Sequence, residues 1–411
     1  MTQSLRRVAI VGGVRIPFCR SNTLYADLSN LDMLSATLNG LVDRYRLAGV
    51  HIDEVVGGAV VTHSRDWNLA REAVLSTKLA RSTPGITLIQ ACGTSLQAAM
   101  GIAAKIAIGQ IESGIACGAD TTSDAPIVLK KSFAQELVKG QQAAKTVGGK
   151  IKLALTAAKP TAMVLETPST GEPRTGLSMG EHCELMAKEW HITRAEQDQL
   201  AVESHRKAAD AYRSGYMDDL IVPCAGVFKD NNIRDDASVE KMATLRTAFD
   251  KSDKGTLTAG NSTPLTDGAS AVLLASEDFA RKRGLPILAY LIDAQTSAND
   301  FVAGEGLLMA PTIAVSRLID RQGMRLQDFA LYEIHEAFAA QVLSTLRAWE
   351  DPAYCKRVLG KDAPLGSIDR ARLNVRGSSL AFGHPFAATG ARVMANLAKL
   401  LSGTGERGLI S

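Results

Sequence analysis

The stretch Thr87–Asp120, TLIQACGTSLQAAMGIAAKIAIGQIESGIACGAD, decides the fold. Thr87–Ala91 reads as short and extended, and Thr94–Gly109 as a helix whose only charge is Lys105. Gly114–Ala119 reads as an apolar strand. A helix with so little charge is expected to be buried almost all round. Moving outward, Arg7–Val14 and Glu54–Val61 read as strands, with Asp32–Tyr45 an amphipathic helix between them. Strand–helix alternation of this kind predicts a mostly parallel sheet covered on both faces.

The chain then repeats itself. LVDRYRLAGVHIDEVVGGAV from Leu41 is matched by LIDRQGMRLQDFALYEIHEA from Leu318. SLQAAMGIAAKIAIGQIESGIACGAD from Ser95 is matched by PFAATGARVMANLAKLLSGTGERGLIS from Pro385. Both pairs keep the same order, which implies two similar α/β halves. The strand that runs through Gly114–Asp120 has its counterpart in Gly408–Ser411, where the sequence stops. On this symmetry the natural chain is expected to continue beyond Ser411. Between the halves, Ile127–Lys159 is helix-prone and carries Lys130, Lys131, Lys139, Lys145, Lys150, Lys152 and Lys159 against Glu136. Thr167–Arg174 is a Pro/Gly/Thr linker, and Met179–Ser214 is a long helical stretch in which Thr193 opens a T-R-A-E capping box. The expected organisation is residues 1–122 with 244–276, an inserted loop domain at 123–243, and a second half at 277–411.

Composition narrows the function. With 411 residues and 46% hydrophobic content the chain can bury a large core. A net charge of +3 and 5% aromatic residues argue against nucleic-acid binding. The six cysteines are scattered with no C-x-x-C pair, as in a reduced cytoplasmic protein. The N-terminus lacks the apolar stretch of a signal peptide, and no run approaches the roughly 18 apolar residues of a membrane span. His63, His182, His191 and His205 form no ligand-spaced set, so no metal is assigned. Val11-Gly-Gly-Val-Arg-Ile-Pro lacks the spaced glycines of a dinucleotide fingerprint.

Three residues could carry chemistry. Cys92, in Q-A-C-G-T-S-L, lies between a short strand and the helix, where the helix dipole can lower a thiol pKa. Its plain alternative is a small buried hydrophobe. His384, in F-G-H-P-F-A-A-T-G, sits in a glycine-rich turn ahead of a helix; alone, such a histidine is as well an ordinary turn residue. His335, in Y-E-I-H-E-A-F, follows a strand, where functional residues of parallel sheets collect. One thiol and two imidazoles are what thioester chemistry needs: a nucleophile, a base and an oxyanion donor.

These residues together resemble the thiolase family along nearly the whole chain. The resemblance rests on five motifs in the family's order. They are Q-A-C-G-T-S-L-Q-A, G-L-S-M-G-E-H, T-A-G-N-S-T-P-L-T-D-G-A, H-E-A-F-A-A-Q and G-H-P-F-A-A-T-G-A-R. H-E-A-F in place of N-E-A-F, with D-N-N-I-R-D from Asp230, is similar to the thiolase subunits of fatty-acid oxidation complexes. The resemblance implies a five-layer αβαβα core with a loop domain over the site. It implies that Cys92 forms an acyl-enzyme, that His384 activates it, and that His335 orients a water or donates to the thioester oxygen. Met179, Ser262 and Gly383 fall in substrate-lining motifs. Coenzyme A is implied as a substrate, with no cofactor. A homodimer or homotetramer is implied, and a hydratase/dehydrogenase subunit or a membrane surface through 127–159 as a further partner. The phosphates of CoA are another candidate for that basic segment. The family's second cysteine, in a C-x-G motif, has no match, because no cysteine follows Cys355. That gap is expected to impair the carbon–carbon step in the 411-residue chain, and it leaves a decarboxylating condensing enzyme and a non-catalytic scaffold subunit or acyl-CoA-binding relative as rivals.

Overall fold

The computed structural model describes residues 5–158 and 165–411. Its strands are β1 (Val8–Arg15), β2 (Cys19–Arg20), β3 (Glu54–Gly58), β4 (Gly85–Thr87), β5 (Ser113–Asp120), β6 (Val128–Leu129), β7 (Leu165–Glu166), β8 (Thr266–Ser276), β9 (Ala289–Leu291), β10 (Leu331–Glu333) and β11 (Gly408–Ile410). The helices of the first half are α1 (Asn30–Arg44), α2 (Leu69–Leu75) and α3 (Thr94–Ala107). The insertion carries α4 (Lys131–Ala143), α5 (Val147–Ala157), α6 (Met179–Glu189), α7 (Arg194–Arg213) and α8 (Val239–Ala243). The remainder are α9 (Glu277–Lys282), α10 (Ala310–Arg321), α11 (Ala339–Glu350), α12 (Pro352–Arg357), α13 (Ser379–Phe382) and α14 (Thr389–Leu401).

The main sheet has the order β4-β3-β5-β8-β1-β9. It is mixed rather than mostly parallel. β3 pairs parallel with β4 and β5, while β8 runs antiparallel to both β5 and β1. The reason is that β8 returns from the long insertion, and an antiparallel strand needs no right-handed crossover to enter the sheet. Side chains alternate between two cores, as the two-residue period requires. Ile115, Cys117 and Ala119 of β5 pack with Leu34, Leu38 and Leu41 of α1. Ala116 faces the other way, onto Ala99 and Ile102 of α3 and Ala391 and Met394 of α14.

Beyond that central pair, α14 meets β10 and β11, which pair in parallel. Val315 and Ile319 of α10 and Leu343 and Leu346 of α11 share one core with Tyr332 and Leu409 of those strands. The stack is therefore helix, sheet, helix, sheet, helix. β9 joins the first sheet through β1, so the second sheet consists, among the described residues, of β10 and β11. A cavity of about 820 Å³ lies between Ile287–Ser297 and Arg407–Ser411, floored by Met394, Leu397 and Leu401.

The insertion packs in two ways. α4 and α5 contact each other, whereas α6 and α7 pack on α11, and α7 also on α13. The expected helical stretch Met179–Ser214 is two helices, broken where His191 takes φ +51°. The Thr193 capping box is present, with Thr193 accepting from the Glu196 N–H. Lys159 of the basic segment lies outside the described residues. No helix among the described residues is long and apolar enough to cross a membrane.

Candidate active site

Cys92 is presented by a strained turn. Ala91, the residue before it, has φ +44°, an uncommon value for a side chain with a Cβ. The turn is closed by Gly93 N–H to Gln90 O (2.9 Å), by Thr94 N–H to Ala91 O (3.2 Å), and by Thr94 Oγ1 donating to Ala91 O (2.7 Å). Gly93 is the N-cap of α3 and offers no side-chain cap, so the positive end of the helix lies at Cys92.

That dipole does not win. The residue is partly exposed, yet its thiol sits in dense surroundings, and burial followed by the Asp120 carboxylate pushes it up to about 12. The Cys92 backbone N–H opposes the rise without cancelling it. The sequence-based expectation of a lowered thiol pKa is thus reversed, because desolvation of the charged form exceeds what a helix terminus returns.

Asp120, at the C-terminal end of β5, ties the two halves together at this point. Its buried carboxylate accepts from Val60 N–H (2.9 Å), Val61 N–H (2.8 Å) and Ala387 N–H (2.8 Å). Burial raises its pKa to about 7 against those three donors. Ala387 lies three residues beyond His384, and Ser95 of α3 accepts from Ala391 N–H at 2.9 Å. Ser270 of β8 donates to Ala388 O. The loop that carries His384 is therefore held against the start of α3 by side chains of the first half.

His335 and His384 come together, with ring centroids 4.2 Å apart. His384 is placed by Thr266, whose Oγ1 accepts from its N–H at 3.2 Å, and its Nδ1 meets Thr389 Oγ1 at 2.6 Å. His335 follows β10; its N–H donates to Ser411 O at 2.8 Å and its Nδ1 meets Ser379 Oγ at 3.0 Å. Among the described residues the Nε2 atoms of both rings are buried without a partner. Burial pushes His335 down to about 3, helped by the Arg392 charge. His384 is held well below the ordinary histidine value by burial, then by His335 and Arg392. Both rings are neutral near pH 7.

A buried polar frame supports them. Glu336 accepts from Ser204 Oγ (2.7 Å) and Asn374 Nδ2 (2.6 Å), and Asn374 Oδ1 accepts from Ile334 N–H at 2.9 Å. Asn396 Nδ2 donates to Glu333 Oε1 at 2.6 Å, and burial raises Glu333 to about 8. The loop Asn261–Thr266 runs between the two histidine loops: Thr263 N–H donates to Ala337 O, and Thr263 Oγ1 to Ser379 O. Ser262 bridges to Phe338, and its buried Oγ has no partner among the described residues. Gly383, at φ +96°, precedes His384. Met179 is the first residue of α6 and is exposed, so it stands outside this buried cluster. The other five cysteines are buried. Cys19, Cys117 and Cys224 lie in the core that β5 shares with α1, and Cys183 in the core of α10, α11, β10 and β11. Cys355 Sγ donates to the carbonyls of Ala348 and Trp349 at 3.5 Å.

Asp120, Ser379, Thr389 and Arg392 were missed in the sequence. Asp120 alone carried a signal, as an acid at the end of a central strand.

A partly exposed thiol at a helix start and two neutral imidazoles brought together, on a stacked αβαβα fold, form an arrangement that suits an acyltransferase. The comparisons agree. Residues 8–278 match the thiolase N-terminal domain and residues 285–411 the thiolase C-terminal domain. The chain belongs to the thiolase family. It is 41% identical over 394 residues to a 3-ketoacyl-CoA thiolase of Pectobacterium carotovorum, covering 94% of this chain and 89% of that protein. It is 40% identical over 405 residues to a 3-ketoacyl-CoA thiolase of a Shewanella species, covering 97% and 92%. Among solved structures, the Bacillus anthracis acetyl-CoA acetyltransferase superposes with a TM-score of 0.81 at 28% identity, covering 100% of this chain and 96% of that one. A thiolase from Ascaris suum in complex with coenzyme A gives 0.79 at 25% identity, covering 98% and 96%.

Proposed function

We propose that this acyl-CoA C-acyltransferase works by a ping-pong exchange through a Cys92 thioester. In the cleavage direction Cys92 Sγ attacks C3 of a 3-ketoacyl-CoA while His384 Nε2 takes the thiol proton. The C2–C3 bond breaks, its electron pair stays on C2 of the departing acetyl-CoA, and C2 takes the proton that His384 received, a transfer made without the family's second cysteine. The thiol of a second CoA then receives the shortened acyl group and Cys92 is restored. The reverse sequence condenses two acyl units. His335 Nε2 donates to the carbonyl oxygen as it gains charge, and the Cys92 N–H serves a second oxyanion position. Coenzyme A is substrate, and no cofactor enters.

The observation that carries this reading is the pair of neutral imidazoles, 4.2 Å apart and tilted, whose Nε2 atoms have no partner among the described residues, with the His384 loop bound through Asp120 and Ser95 to the region of the helix start behind Cys92. With the thiol raised to about 12 and His384 held neutral, the thiolate forms as attack occurs, not beforehand. Ser262 and Gly383 belong to the acyl pocket, and Met179 to its outer rim. Residues 123–243 form the loop domain, with 1–122 and 244–276 before it and 277–411 after it. Exposed Val138, Val147, Ile151 and Leu155 among the lysines of α4 and α5 support a surface that meets an anionic membrane or a partner subunit. The enzyme is read as a cytoplasmic homo-oligomer. The test is whether acetyl-CoA leaves an acetyl group on Cys92.

A further inference from the structure

Ser379 and Arg392 have no place in the reaction as derived, yet they stand directly behind His335. Arg392 Nη2 donates to Ser379 Oγ at 2.6 Å and Nη1 to Ser378 Oγ at 3.0 Å. Ser379 Oγ lies 3.0 Å from His335 Nδ1, and both serines are fully buried. We propose that Ser379, held by Arg392, is a positioning residue that locks His335 in its Nε2–H tautomer, making the ring a hydrogen-bond donor toward the substrate carbonyl.

The argument follows from what each group can donate. A guanidinium only donates, so Ser379 Oγ must accept from it. Among the described residues, the one acceptor within reach of the Ser379 hydroxyl hydrogen is His335 Nδ1. If that hydrogen goes to Nδ1, the ring proton must sit on Nε2. In the opposite tautomer Nδ1–H would compete with Arg392 for the serine oxygen. The hydroxyl hydrogen would then be buried without a partner, which folded proteins avoid. The bare Nε2 lone pair would also face the lone pairs of the carbonyl oxygen. The guanidinium charge further polarises the hydroxyl toward donation. Neutrality of His335 is what makes the tautomer matter, because an imidazolium would donate from both nitrogens. Thr389, the corresponding partner of His384, receives no such donor among the described residues, so its hydroxyl is free to accept from Nδ1–H and leave Nε2 as a base.

This inference deepens the proposed function and rests on it. Protein labelled with ¹⁵N-histidine is examined by long-range proton–nitrogen correlation, with His335→Asn identifying the His335 signals. Nε2 is expected as the protonated nitrogen and Nδ1 as the bonded acceptor. In Ser379→Ala the signals move toward a tautomer mixture, kcat falls about 10- to 100-fold with KM nearly unchanged, and Cys92 still acylates slowly. Arg392→Lys, which keeps a buried cationic donor, is expected to fall between. A wild-type ring protonated on Nδ1 would overturn the proposal. So would a Ser379→Ala protein that keeps both the Nε2–H signature and full kcat. If wild-type Cys92 takes no acyl group at all, the functional reading fails, while the nitrogen spectra still decide the tautomer.

Discussion

Substituting Gly383 with alanine should damage the site out of proportion to one methyl group. Gly383 has φ +96° and ψ 173°, a region that glycine alone adopts freely, and forcing alanine there costs about 1–3 kcal/mol. The added Cβ would lie 2.5 Å from Asn232 Nδ2, 2.6 Å from Thr266 Oγ1 and 2.7 Å from Thr266 Cγ2. Relieving that overlap costs a further ~1–3 kcal/mol. The displaced groups are those that hold the residues on either side. Thr266 Oγ1 accepts from His384 N–H, and Asn232 Nδ2 donates to Phe382 O at 3.0 Å. A loss of about 2–6 kcal/mol in urea unfolding is therefore expected. The Cys92 acylation rate, measured by stopped-flow release of CoA, should fall with it by at least tenfold. Gly403 gives the control: it has φ +73° with nothing within 4 Å of the built Cβ. Gly403→Ala should show a backbone penalty of about 1–2 kcal/mol and unchanged acylation. The reasoning is refuted if Gly383→Ala matches Gly403→Ala in both measurements.

Two further outcomes follow from the same structure. His205 is buried, accepts from Arg234 N–H at 3.2 Å, and is pushed down to about 4 by burial from the ordinary 6.5. Because its folded pKa is depressed, its contribution is complete above pH 6.5 and is lost as pH falls toward 4. The loss is about 3 kcal/mol over that window. Urea titrations of His205→Gln should show a correspondingly shallower acid limb than wild type, and an equal slope would remove the assignment. Replacing Lys131, Lys139, Lys150 and Lys152 on α4 and α5 with glutamine should abolish co-sedimentation with vesicles rich in phosphatidylglycerol, leaving turnover intact. Binding that survives the change would place the contact elsewhere.

The parts legible in the sequence were those fixed by local pattern. The helix at 94–107, the capping box at Thr193 and the repeat linking α3 with α14 are carried by local patterns, and the structure shows each element. α3 is buried along one face rather than almost all round, because Leu96, Gln97, Met100, Gly101 and Ala104 lie on a side that no other element covers completely. Cys92, His335 and His384 stood out because each falls where a strand or turn meets a helix or loop. The rest depends on contacts between distant segments. β8 enters between β5 and β1 because of where the insertion returns it, which no window of its own residues encodes. Asp120 reaches Ala387 across 267 positions, and Arg392 reaches Ser379 only once α13 and α14 have folded over β10. The thiol of Cys92 was misjudged for the same reason: the helix dipole is local, whereas the burial that outweighs it is a property of the whole site.

The most direct test of the account is to incubate the 411-residue chain with acetyl-CoA, weigh the intact protein, and repeat with Cys92→Ala. A single acetyl adduct is predicted on the wild type, mapped to the peptide containing Cys92 and missing from the variant. An adduct that persists in Cys92→Ala, or maps to another cysteine, would contradict the assignment of the nucleophile.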